Sequence, residues 1–202
     1  FTISTKVGRL VRRKPATFET LPEGMWHVPD DLKPVFDFSR DGVRRSLVES
    51  LERLDLDAVD IALVHDPDGF VDRVITGTLP ALRELCDEGL VRAVGIGMAD
   101  TDALEQIVRA APVDCVLIAG RFTLLDQTAH AGLLPACARE NVGVILGGVF
   151  NSGILADPAS AARFDYLPAE PSLVGRACQI AAICAGHGVP LPAAALQFGF
   201  RH

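Results

Sequence analysis

The stretch at residues 59–68, VDIALVHDPD, constrains the fold more than any other. Its apolar centre, Ile61-Ala62-Leu63-Val64, shows no in-out alternation, so it reads as a parallel strand covered on both faces. Strands of that kind belong to α/β folds. The run then stops abruptly in His65, Asp66, Pro67 and Asp68, and α/β folds bind ligands at the carboxyl ends of their strands. His65 stands where a functional side chain belongs.

The same unit recurs along the chain. Strand-like runs open it at 1–7 and return at 91–98, 115–120 and 142–149. Between them lie helical patterns. Val43, Leu47, Leu51 and Leu54 share one face behind Ser39 or Asp41 as cap, and Leu79, Leu82 and Leu85 follow suit, with Pro80 in a first turn and Gly89 at the stop. Leu104, Ile107 and Val108 follow a cap at Asp100 or Thr101, and a helix over 133–140 stops at Asn141. Helices over 173–184, ended by Gly186-His187-Gly188, and over 191–200 complete the pattern. Strands start roughly every 25 to 30 residues, the spacing of a βα unit, which fits a closed (β/α)₈ barrel and an open doubly wound sheet alike. The polar residues favour the barrel. Lys6, His65, Met98 with Asp100, Arg121, and Asn151 with Ser152 follow the carboxyl ends of different strands, and a barrel gathers all such ends around one mouth. Residues 8–38 carry Pro15, Pro22, Pro29 and Pro34 without a period, and read as a long functional connection. In it, Trp26 is a candidate cover for the substrate, or a packing residue. One domain over residues 1–202 is the simplest organisation.

A formal net charge of -7 and a pI near 5.2 argue against a nucleic-acid backbone or an anionic membrane surface as partner, leaving a small molecule. Five cysteines, an odd count without CxxC spacing, read as reduced core thiols of a cytoplasmic protein. No apolar stretch spans a membrane and no secretory leader is evident. The chain begins without Met inside a strand and stops after a helix, so a fragment of a longer protein is expected, inactive and poorly stable alone.

Lys6 reads either as a strand-end surface charge or as an ammonium that depresses a neighbouring phenol's pKa or forms a Schiff base. His65 reads as a satisfied core histidine or, with a Lys one βα unit earlier, as a hydrogen-bond donor or general acid. His65, Asp66 and Asp68 are possible metal ligands, but Pro67 interrupts them and no third-strand His accompanies them, so no metal is expected. Gly95-Ile96-Gly97 lacks the third glycine of a dinucleotide fingerprint and reads as close packing. Gly147, Gly148 and Gly153 around Val149, Phe150, Asn151 and Ser152 suit a backbone cradle for pyrophosphate, or an ordinary turn.

Taken together, STKVG at residues 4–8, the run FDFSRDGVRRSLVESLERLDLDAVDIALVHDPD at 36–68, GRFTLLDQ at 120–127, GGVFNSGIL at 147–155 and HGVPLPAAALQF at 187–198 resemble the aldo-keto reductases. The branch resembled is that of the L-fucose, D-threo-aldose and pyridoxal dehydrogenases. The resemblance implies a (β/α)₈ TIM barrel, incomplete here, with earlier strands and the last strand outside this chain. It implies NAD(P) as cofactor and a sugar or pyridoxal-type alcohol or carbonyl as substrate. Of the family's Asp, Tyr, Lys and His tetrad, Lys6 matches the Lys and His65 the His. Tyr166, the single tyrosine, does not match the Tyr. Met98 stands where many members carry Ser-Asn, Ala119 approximately where they carry Gln, and Phe122 where they carry Tyr. By resemblance Met98, Phe122, Gly147, Val149, Phe150, Asn151, Ser152 and Gly153 are the expected cofactor-binding residues. Two other classes stay open: a Schiff-base aldolase barrel using Lys6, and a non-catalytic cofactor-binding or interaction protein.

Overall fold

The computed structural model describes residues 1–13, 31–160 and 162–201. β1 (Ser4–Val7) opens the chain, and Gly8 turns it with φ 91°, its absent Cβ lying against the Phe38 ring. β2 (Arg9–Arg13) and β3 (Leu32–Phe36) then pair antiparallel, Arg9 opposite Phe36 and Val11 opposite Pro34. The sequence reading of 8–38 as one unstructured connection is therefore corrected at both its ends, because a Pro is tolerated in a two-stranded ribbon with an unpaired side. Trp26 lies outside the described residues.

α1 (Arg40–Leu54) begins at Ser39, whose hydroxyl accepts from the Gly42 N–H at 3.1 Å, and ends at Asp55 in the left-handed region. β4 (Val59–His65) leads to a continuous helical run made of α2 (Val71–Arg73), a π-turn (Val74–Thr78) and α3 (Leu79–Asp87). Pro80 lies in the first turn of α3, as expected, directly after the π-turn. β5 (Val91–Met98), α4 (Thr101–Ala110) and β6 (Cys115–Ala119) come next, α4 being capped by the Asp100 carboxylate, which accepts from the N–H groups of Asp102 and Ala103 at 3.0 Å each. α5 (Leu133–Glu140) stops at Asn141 with φ 56°, and β7 (Gly143–Gly147) follows. A small hairpin of β8 (Arg163–Phe164) and β9 (Leu167–Pro168), which the sequence did not suggest, precedes α6 (Pro171–Gly186) and α7 (Leu191–Phe198).

The five-stranded sheet runs β1-β4-β5-β6-β7, with β1 and β4 parallel and β4 and β5 parallel. Its strands keep chain order, without the reversal that gives a doubly wound sheet its switch point, so the barrel alternative prevails.

The chain divides into two compact units, Phe1–Gly97 with Gln106–Val116, and Met98–Glu105 with Leu117–His202. In the first, Val7, Ala62, Leu63, Val64, Val94 and Ile96 on the strands are buried, and so are Leu47, Leu82 and Leu85 on the helices. Each large side chain so buried contributes about 1.5–3 kcal/mol. In the second, the core gathers Leu125, Ile154, Leu155, Ala177, Leu191 and Ala195, with Phe150, Leu173 and Ile180 partly buried against it. All five cysteines are free thiols. Cys115 and Cys137 are buried as expected of core thiols, but Cys178 is exposed, because α6 buries only Ala177. No single helix among the described residues is long and apolar enough to cross a membrane.

Candidate functional site

In the first unit, Lys6 on β1 sits in register with Leu63 on β4. Side chains in register share a face of a sheet, and His65, two residues beyond Leu63, returns to that face. Lys6 and His65 thus project side by side near the carboxyl ends of adjacent strands. The imidazole is 20% exposed, and its pKa is pushed down to about 3, first by burial and then by the positive charges of Arg9 and Lys6. Asp66 Oδ2 is 3.4 Å from His65 Nε2, a contact that alone would favour the imidazolium. That oxygen already accepts a hydrogen bond from Arg9 Nη2 at 3.0 Å, so burial and the two cations prevail. His65 is neutral at physiological pH, and each ring nitrogen can act as donor or acceptor according to its tautomer.

Arg9 and Asp66 were not singled out as a pair in the sequence. Arg9 heads β2, with its guanidinium 4.8 Å from the centroid of the Phe36 ring directly opposite it in the ribbon. Asp66 adopts φ 41°, and its N–H extends the ladder to Gly97 O at 2.9 Å. Asp tolerates this left-handed backbone better than most residues. The pair therefore orients the segment next to His65. Gly95 in β5 confirms a packing role: a Cβ there would meet the Cys115 carbonyl oxygen, Cys115 Sγ at 2.7 Å and Leu63 Cδ2 at 2.8 Å.

In the second unit the turn over 147–153 is built from its backbone. Gly148 and Gly153 take φ 63° and 106°, and Asn151 and Ser152 take 44° and 60°. Three of the residues expected to face a cofactor are engaged within the unit. A Cβ on Gly147 would come within 2.9 Å of Leu117, so this glycine serves close strand packing. Asn151 is buried; its Nδ2 donates to Gly120 O at 2.9 Å and its Oδ1 accepts from Thr123 Oγ1 at 2.6 Å. Those groups tie the turn to the end of β6. Phe122 is buried, 5.1 Å from the Phe198 ring and stacked at 6.1 Å on His130. With Val149 it lines a cavity of about 830 Å³ whose wall is chiefly apolar, including Leu134, Val144, Leu146 and Leu196. Such a wall does not suit a pyrophosphate. Met98 is fully buried at the end of β5. Phe150 is partly buried against the core, and its carbonyl accepts from the N–H groups of Gly153 and Leu155.

The space beside Gly153 is open, since a Cβ there would meet nothing within 4 Å. Ser152 Oγ accepts from the Tyr166 N–H at 3.0 Å, which ties the β8–β9 hairpin to the turn. Arg121, at the end of β6, grips the same hairpin through both oxygens of Asp165 at 3.0 and 2.6 Å. Tyr166 itself is exposed at the hairpin tip. Thr123, Gly120 and the Arg121–Asp165 pair carried no local signal of these roles, since each acts on a residue 28 or more positions away.

The chain matches the model of the aldo/keto reductase family over residues 1–202. It is 45% identical to a D-threo-aldose 1-dehydrogenase of Pseudomonas sp. over 98% of this chain and 62% of that protein. It is 36% identical to a pyridoxal 4-dehydrogenase of Microbacterium luteolum over 99% of this chain and 64% of that protein. The chain thus spans less than two thirds of the length of these curated relatives. Among solved structures it resembles a glycerol dehydrogenase of Gluconobacter oxydans, at 18% identity and a TM-score of 0.70 over 97% of this chain and 58% of that one. It also resembles an aldo-keto reductase of Bacillus halodurans, at 22% identity and a TM-score of 0.60 over 94% and 60%. At such identities the likeness shows the fold, and with the chain-ordered sheet it places the protein in the (β/α)₈ barrel class. Matched along its whole length by the family model, and by two relatives above 30% identity over nearly all of it, the chain belongs to the aldo/keto reductase family.

Proposed function

We propose that the protein is an NAD(P)-dependent oxidoreductase acting on the carbinol or carbonyl carbon of a sugar of the L-fucose or D-threo-aldose type, or of a pyridoxal-type compound. The observation that carries the reading is the pairing of Lys6 with a neutral His65 on one face of adjacent parallel strands. Family membership and the names of the two dehydrogenase relatives support it. When bound, the nicotinamide supplies the hydride acceptor or donor. His65, kept neutral, hydrogen-bonds the reacting oxygen without adding a full charge to the site. Lys6 supplies a fixed positive charge that stabilises negative charge developing on an oxygen nearby, and so eases proton transfer. The backbone N–H of Ser152 would hold the pyrophosphate beside Gly153, where no side chain blocks close approach.

The test is Lys6→Met in the native protein, with L-fucose and pyridoxal as substrates. Turnover should fall by several orders of magnitude while the Kd for NAD(P) stays within about tenfold, since the lost charge serves proton transfer and not dinucleotide contacts. Unchanged turnover would end the assignment.

A further inference from the structure

Beside His65 stands a polar pair that the proposed chemistry does not use. Arg9 Nη2 donates to Asp66 Oδ2, and the same oxygen is 3.4 Å from His65 Nε2. Among the described residues no hydrogen bond reaches Asp66 Oδ1, and the Asp66 side chain is 38% exposed. The carboxylate is thus anchored on one oxygen and presented on the other. Arg9 is held in turn by the ribbon, with its guanidinium over the Phe36 ring. Phe36, Phe38 and Phe70 form a row, with ring centroids 6.0 and 5.1 Å apart, and Phe36 and Phe70 keep exposed faces.

A presented carboxylate oxygen is a strong acceptor for a hydroxyl hydrogen. Exposed aromatic faces complement the C–H faces of a ring that carries such hydroxyls. We propose that Asp66, anchored by Arg9, is a specificity-determining residue that accepts a hydrogen bond from the hydroxyl next to the reacting one, so that the site selects polyhydroxylated substrates over isolated alcohols. This rests on the oxidoreductase reading above, in which His65 takes the reacting oxygen. A site built to bind a hydroxyl penalises an analogue lacking it, because the partner poised to accept that hydrogen is left unsatisfied.

The experiment compares kcat/KM for L-fucose and for 2-deoxy-L-fucose, with NAD(P), in the native protein and in Asp66→Asn. The native protein should prefer L-fucose. Asp66→Asn should cut that preference about tenfold to a hundredfold, the range of one charge-assisted hydrogen bond, and should do so mainly through KM. An unchanged preference, or a parallel loss with both sugars, overturns the proposal, the latter because Asp66 would then act only through His65. Asp66→Glu provides the same test if Asp66→Asn does not fold. It keeps the charge but displaces the oxygen, so the preference should fall again, and an undiminished preference overturns the proposal. If the native protein oxidises neither sugar, nor pyridoxal, the oxidoreductase reading itself fails and the proposal falls with it. Turnover of an isolated alcohol as efficient as that of L-fucose would defeat the proposal alone.

Discussion

The two compact units hold their candidate residues by different means. In the first, Lys6 and His65 are side chains mounted on parallel strands whose neighbours Val7, Leu63 and Val64 are almost wholly buried. In the second, the turn over 147–153 offers backbone, and a buried amide, Asn151, ties it in place. The cores differ likewise. β4 is buried at four of its seven positions, whereas β7 has no buried residue and α6 buries only Ala177, leaving Ile183 exposed. A strand fixes the direction of a side chain through its pleat. A turn has no such repeat, so its shape depends on glycines, left-handed residues and specific hydrogen bonds.

The harshest way to break this contrast is at Gly95. In Gly95→Val the new side chain would strike the Cys115 carbonyl and Leu63, and backbone cannot move aside as a flexible side chain can. The expected cost exceeds about 3 kcal/mol in urea unfolding, with loss of the Lys6 and His65 geometry. A tolerated valine would show that the first unit is not closely packed.

Acid probes the same unit through His65. Its pKa is about 3 in the folded protein against 6.5 ordinarily, so between these values the unfolded chain binds the extra proton. The stability conferred by the neutral imidazole is therefore complete above pH 6.5 and is lost as pH falls from 6.5 towards 3. The loss is at most about 5 kcal/mol. Melting curves of the native protein and His65→Asn should diverge at pH 7 and converge towards pH 4. Parallel curves would mean that His65 is not held neutral.

In the second unit, Asn151→Ala removes the partner of Gly120 O and of Thr123 Oγ1 and should cost about 2–3 kcal/mol. Ile180→Ala, on the sparsely buried α6, should cost less than Asn151→Ala. A reversed order in chemical denaturation would show that apolar packing, and not the amide, holds this unit.

The smallest effect belongs to Arg44→Ala. Arg44 meets both oxygens of Glu88 at 2.6 Å, yet both side chains are solvent-exposed, where screening and side-chain entropy cancel most of the attraction. No measurable change in Tm is expected. A clear drop would give the surface ion pairs of the first unit a weight comparable with its core.

Much of the chain was legible where its signals are local. The unbroken apolar run before His65, the Ser39 and Asp100 caps, and the stops at Gly89 and Asn141 each depend on residues within a turn or a strand of one another. The β2–β3 ribbon was less legible, since Pro34 and the intervening residues mask any alternation. In the turn over 147–153 the glycines were visible, but their roles were not: Gly147 packs on Leu117 and Gly153 faces open space, and no local pattern separates the two.

The sequence by itself determined the α/β class, the order of the sheet strands and helices though not the β2–β3 and β8–β9 pairs, and the placing of Lys6 and His65 at strand ends, because hydrophobic period and capping act over a few residues. Only the tertiary structure decided that Arg9 meets Asp66 across 57 positions, that Asn151 turns inward to Gly120 across 31, and that Met98 and Phe122 are buried. Those facts depend on register between strands and on which side of a turn faces the core. Register is set by the sum of many weak contacts between distant segments, and no stretch of sequence contains that sum.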